Sequence, residues 1–261
     1  LFCLYRAPSG TPPCGAVLYL HPFAEEMHKS RRMVAQQARY LAAAGWAVLQ
    51  IDLTGCGDSA GDFGDATWDG WLDDAALGLA WLKTESGHTP CLWGLRTGAL
   101  LALDLAAEQA RIAVEVGRVV LWQPVVDGEL FLNQFLRLRL AREMLAGGQA
   151  QSGLKALRTA LEGRAHLEIA GFMLSAPMAQ ALASHKLAKI VPPGAVFWLE
   201  LKTPGSEPVF APASQAVMTC WQQAHVVVSG TALCGDPFWN TPEISECPEL
   251  LALTLAALEG S

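Results

Sequence analysis

Charge is what this sequence has least of: only 16% of its 261 residues are Asp, Glu, Lys or Arg, against 52% hydrophobic residues. A chain so poor in charge buries itself, so disorder is excluded and a large core is expected. Basic residues are the scarcer sign, 18 against 25 acidic, for a net charge of −7. Such a surface repels a phosphate backbone, and no nucleic acid is expected as a partner. No apolar run reaches the ~18 residues needed to cross a bilayer, so no transmembrane segment is expected. The stretch Leu1–Arg6 lacks a basic region followed by a long apolar one, so no secretory signal is expected there. C-x-x-C pairs are missing too. Seven scattered cysteines suggest neither a disulfide framework nor a zinc site of that pattern, and fit a reducing cytoplasm.

What is present is an alternation of apolar strands and amphipathic helices. Ala16–Leu20 and Trp46–Ile51 read as buried strands, flanking a helix from an N-cap at Ser30 to Ala44, where Gly45 supplies the stop. Trp68, Trp71, Leu72, Ala75, Leu79 and Leu82 recur at helical spacing and predict a helix over 67–83. Cys91–Trp93, Val119–Trp122, Ala195–Leu199 and Val226–Val228 predict further strands, with helices over Ala99–Ala107 and Pro248–Leu258. Strands without internal alternation that trade places with helices predict an α/β fold, a mostly parallel sheet covered on both faces. Between 127 and 190 the alternation gives way to helical patterns without a strand. We therefore expect a core of residues 1–126 and 191–261 with a helical cap inserted at 127–190.

In an open parallel sheet the ligand site lies beyond the carboxyl ends of the strands. After the strand at Cys91, Gly94-Leu95-Arg96-Thr97-Gly98 has the tight turn, paired glycines and following helix of a G-x-S-x-G nucleophile elbow. The central residue is Arg96, and a permanently protonated guanidinium cannot attack a carbonyl. The triad histidine of this architecture belongs on the loop after the last strand, here Ser229 to about Pro242, and no histidine occurs there. Asp127, Glu200 or Glu207 could fill the acid position. A serine triad is thus excluded at this elbow.

Other chemistry-bearing residues cluster in two loops. His21-Pro22-Phe23 stands where hydrolases of this fold carry an oxyanion loop, although Pro22 removes one N–H. The turn Gly55–Ser59 after Asp52 offers Ser59 and Cys56 as displaced nucleophiles, with His21 or Asp58 as the available bases. Arg96 reads either as an anion contact above the helix N-terminus at Thr97 and Gly98, or as one half of an internal ion pair with Glu25, Glu26 or Asp52. Arg31 and Arg32 would sit in a first helical turn, offset by Glu25, Glu26 or Asp58. Glu25, Glu26 and His28 are metal-ligating residue types, but neither a metal nor a cofactor is expected. Arg137, Arg139 and Arg142 read as a solvated basic helix face, or as a surface for an anionic carbohydrate or partner.

The run His21-Pro22-Phe23-Ala24-Glu25-Glu26-Met27-His28-Lys29-Ser30-Arg31-Arg32-Met33, the run from Asp52 to Trp68 and the Gly94–Gly98 turn resemble the exosortase A system-associated hydrolase 2 family. His28 stands where that family carries asparagine. The resemblance extends over nearly the whole chain. It implies an α/β-hydrolase fold, a bacterial source and a place in the exosortase and exopolysaccharide system. Together with the residues it gives two expectations. One is a hydrolase of an ester, thioester or acyl group using His21, Ser59 and Arg96, with Phe23, Glu25, Glu26, Asp58, Thr97 and Gly98 lining its ligand site. The other is a non-catalytic accessory protein holding an anionic ligand or partner in the former active-site pocket.

Overall fold

A computed structural model describes residues 1–10, 12–145, 153–163, 166–241 and 245–260. In chain order the elements are β1 (Phe2–Arg6), β2 (Gly15–Leu20), α1 (Glu25–Ala43), β3 (Trp46–Asp52), α2 (Trp68–Ser86), β4 (Cys91–Leu95), α3 (Thr97–Arg111) and β5 (Val119–Trp122). They continue with α4 (Gly128–Leu145), α5 (Leu154–Glu162), β6 (Leu167–Ile169), β7 (Phe172–Leu174), α6 (Ala176–Ser184), β8 (Val196–Lys202), α7 (Pro212–Gln223), β9 (Val228–Cys234) and α8 (Pro248–Glu259). Among the described residues one sheet runs in the order β1-β3-β2-β4-β5-β8-β9, and its strands β3, β2, β4, β5, β8 and β9 pair in parallel. This is the α/β-hydrolase arrangement.

The chain divides into two compact units. The larger comprises Cys3–Ile51, Ala75–Val126 and Leu187–Ser261. Its core is the row of central strands, which are buried along their whole length because helices cover both faces of a parallel sheet. Five rings run through it in sequence: Tyr19 to Trp93 (4.4 Å between centroids), Trp93 to Trp122 (4.6 Å), Trp122 to Phe238 (6.0 Å) and Phe238 to Trp239 (5.0 Å). Trp122 also donates from Nε1 to Thr254 Oγ1 at 2.8 Å, which satisfies a donor that burial would otherwise strand.

The smaller unit comprises Leu1–Phe2, Asp52–Asp74 and Asp127–Lys186. Within it Phe63 packs on Trp71 and Phe172, and Trp68 lies 4.5 Å from the His185 ring. Gly128 lets α4 approach α6: a Cβ there would overlap the Leu182 carbonyl oxygen. Asp127 accepts from the backbone N–H groups of Glu129 and Leu130 and from Lys186 Nζ at 3.0 Å, capping α4.

Several expectations change here. The segment expected to hold no strand contains the β6–β7 hairpin, closed by Ala170 and Gly171, both at positive φ. Helix α1 begins at Glu25, five residues before Ser30, because Ala24 makes the turn in a left-handed conformation (φ 52°). Arg31 and Arg32 therefore lie beyond its first turn, and Arg32 pairs with Glu246, its Nη2 2.5 Å from Oε1. The last strand runs from Val228 to Cys234 rather than over 226–228, so the loop that follows it starts at Gly235. The three arginines of α4 do not form one solvated face: Arg139 is half-buried and donates to Glu143 at 3.1 Å.

Candidate functional site

Two strand-to-helix turns in the larger unit share one strained backbone geometry. Arg96, between β4 and α3, has φ 57° and ψ −114°; Ala24, before α1, has φ 52° and ψ −126°. Non-glycine residues rarely adopt this conformation, and holding one there costs about 1–3 kcal/mol. At Arg96 the backbone is pinned on both sides. Its N–H donates to Trp122 O at 2.9 Å, and its carbonyl accepts from Ala99 N at 3.2 Å and Val125 N at 3.3 Å. The flanking glycines are obligatory: a Cβ on Gly94 would meet the backbone of Gly98 and Ala99, and one on Gly98 would meet the carbonyl oxygens of Leu20 and His21. The geometry of a nucleophile elbow is thus complete, with an arginine at its tip.

The guanidinium is mostly buried and sits among three groups. Nε approaches both carboxylate oxygens of Glu26, at 3.2 and 3.3 Å. Nη1 donates to Gln123 O at 3.4 Å. The guanidinium carbon lies 5.5 Å from the centroid of the Trp239 ring, a cation–π contact. Trp239 is on the loop after β9, where the base of a triad belongs, and that loop carries Phe238 and Trp239 and no histidine. Serine is replaced by a cation and the imidazole region by an aromatic face that the cation covers.

The electrostatics follow from burial. Desolvation raises the Glu26 carboxyl above its ordinary value, with Arg96 pulling it back toward ionisation. Burial also raises Glu25, whose Oε2 is buried without a hydrogen-bond partner. Thr97, 2% exposed at the start of α3, likewise leaves its hydroxyl unpartnered. His21 is 4% exposed and donates from Nδ1 to Pro22 O at 2.8 Å, which sets its tautomer. Phe23 is fully buried and its carbonyl accepts from Glu26 N at 3.2 Å.

The larger unit therefore gathers Arg96 and Glu26 into direct contact and seats Gly98 against His21; Phe23, Glu25 and Thr97 lie in the same unit. Ser59 and Asp58 belong to the smaller unit. There the Ser59 hydroxyl donates to Asp52 O and accepts from Phe2 N at 2.8 Å, while Asp58 N donates to Asp52 Oδ2 at 3.0 Å. Cys56 is no ready thiolate: burial, reinforced by Asp52 and Asp74, pushes it up to about 12. Glu200, 2% exposed, is engaged by Lys202 Nζ at 2.6 Å and Ala211 N at 2.9 Å. Sequence reasoning passed over Trp239 and Gln123. Phe238-Trp239 on a loop expected to hold a histidine was the available signal for the first, and nothing in the sequence marked the second.

Comparison with known proteins agrees with this architecture. Solved structures of similar fold include Est1E from Butyrivibrio proteoclasticus with bound ferulic acid (TM-score 0.69, 18% identity, 99% of this chain and 92% of that one). A thermostable carboxyl esterase from Bacillus coagulans in complex with glycerol is also similar (TM-score 0.63, 14% identity, 99% and 93%). At these identities the likeness is one of fold. Human Protein ABHD12B is 34% identical over 128 residues, which are 48% of this chain and 33% of the relative, so the match covers about a third of that protein's length. Residues 11–150, more than half of the chain, match the Hydrolase_4 family, described as serine aminopeptidase, S33, and the chain belongs to this α/β-hydrolase family.

Proposed function

We propose that this family member is an accessory or binding protein of the exosortase and exopolysaccharide system, cytoplasmic and free of cofactor, that holds a small acyl or anionic ligand at Arg96. The observation that carries this reading is the Arg96–Glu26 pair at the elbow tip. Its N–O distances of 3.2 and 3.3 Å exceed the 2.7–2.9 Å usual for charge-assisted bonds. A carboxylate or phosphate that engages the guanidinium in a bidentate fork makes shorter bonds than Glu26 does. Because burial favours the neutral form of Glu26, that side chain can take up a proton and yield its place. Thr97 and Gly98 at the start of α3 add backbone N–H groups to an anion bound there, and Phe23 and Glu25 border it.

The test is a thermal-shift screen of the purified protein with fatty acids, acyl phosphates and acidic sugars, with Arg96→Ala alongside. A rise in Tm that the variant loses supports the reading; no rise with any anion overturns it.

A second reading is favoured by family membership: hydrolysis of an ester, thioester or acyl group, with His21 and Arg96 of the larger unit and Ser59 of the smaller as the candidate catalytic residues. Turnover of short- and long-chain esters and thioesters that disappears in Ser59→Ala and in His21→Ala supports it against the first. Absence of turnover above the buffer rate overturns it.

A further inference from the structure

Helix α4 is apolar on both sides. Phe131, Leu132, Phe135 and Leu136 are its buried side chains. An ordinary amphipathic helix is polar opposite such a stripe. Here Leu130, Leu138, Met144 and Leu145 are 61%, 39%, 65% and 89% exposed, with Gln134 and Ala141 exposed among them. At 100° per residue these six positions and the exposed Arg137 fall within one arc of about 120°, and Arg142 borders it. The Arg142 side chain is 73% exposed, with Glu168 at 3.7 Å. No carboxylate of α4 lies in the arc: Glu129 and Glu143 are on the other side, where they engage Arg158 and Arg139. The segment 127–186 carries seven basic and five acidic residues in a protein of net charge −7.

We propose that this face of α4 docks on an anionic phospholipid surface. The leucines and Met144 enter the boundary between headgroups and acyl chains, while Arg137 and Arg142 meet lipid phosphates, the division of labour of an interfacial helix. Charge selects this occupant. A second copy joined by a two-fold axis would bring one arc against another, and neither arc offers a carboxylate of α4 to the Arg137 of its partner.

The test is co-sedimentation of the full chain with vesicles of phosphatidylcholine alone and of phosphatidylcholine with phosphatidylglycerol. The protein is expected to pellet with the anionic vesicles and to be released by salt. Arg137→Gln is expected to lower the partition coefficient about five-fold, the equivalent of about 1 kcal/mol per basic residue at an anionic surface. Leu138→Glu combined with Leu145→Glu is expected to abolish binding. Both leucines are exposed, so an unchanged Tm and near-UV circular dichroism should accompany that loss. No sedimentation with anionic vesicles overturns the proposal. So does equal binding to neutral vesicles, or a dimer in light scattering that the double variant dissociates.

Discussion

Removing the Arg96 guanidinium tests the central contact of the site. Arg96→Ala leaves Glu26, 9% exposed, without its cation, and breaking a buried pair by deleting one partner costs about 3–5 kcal/mol. The long N–O distances place the expected loss near 3 kcal/mol, a fall in Tm of about 6–12 °C for a chain of this size. The loss depends on pH, with a definite sign. Glu26 has a raised pKa in the fold, so between its ordinary value of 4.5 and the raised one the native state binds more protons than the unfolded state. Stability contributed by this group is complete below 4.5 and falls as pH rises through the folded value. Deleting Arg96 removes the charge that lowers that pKa, so the variant is expected to approach wild-type stability in acid and to fall away from it toward neutrality. The assay is thermal and urea unfolding of wild type, Arg96→Ala, Glu26→Gln and the double variant from pH 4 to pH 8. A coupling energy of about 1.5–3 kcal/mol at neutral pH is expected for hydrogen bonds to a charged group. A coupling below about 0.5 kcal/mol, or a loss that does not shrink in acid, refutes the reasoning.

Arg96→Ser rebuilds the G-x-S-x-G sequence without rebuilding a hydrolase, since the loop after β9 presents Trp239 and no imidazole; neither fluorophosphonate labelling nor ester turnover is expected, as mass spectrometry and a chromogenic ester assay would show. Gly98→Ala drives a Cβ into the backbone carbonyls of Leu20 and His21, which cannot move aside as a side chain would, and is expected to cost about 1–3 kcal/mol in urea unfolding. Iodoacetamide at pH 8 is expected to modify the exposed Cys3, Cys14, Cys220 and Cys234 and to spare Cys56, whose thiol is buried with a pKa of about 12; peptide mapping reads the difference.

The central strands were legible because parallel strands covered on both faces are continuous apolar runs, as in Val17-Leu18-Tyr19-Leu20 and Val119-Val120-Leu121-Trp122. The sheet edges were not. Strands β1 and β9 pair on one side only, so the positions of Phe2–Arg6 and Val228–Cys234 are almost all exposed or half-buried and carry weaker patterns. The start of α1 was hidden because its turn is made at Ala24, a residue whose identity does not announce a positive φ. At the site, the absence of the serine and of the histidine could be read directly. The sequence also narrowed the partner of Arg96 to a few carboxylates, from which only the folded chain selects Glu26. The contact with Trp239 joins two loops far apart in the chain and leaves no local signature.

Two local terms weigh against an arginine at position 96. Its backbone is held in a sparsely populated conformation, and its positive charge stands at the N-terminus of α3, where the helix dipole disfavours a cation. Backbone hydrogen bonds hold the turn in that conformation, whereas the contact with Trp239 and the bond to Gln123 O place the side chain without answering the dipole. An anion reverses the balance. On the anion-binding reading, a carboxylate at the guanidinium offsets the side-chain charge, and one that also reached the N-terminal N–H groups of α3 would offset the dipole. Glu26 supplies that group within the chain, at long distance and against its own desolvation. The anion-binding reading requires such an arrangement: a fixed cation whose internal counter-ion is weaker than the ligand that replaces it.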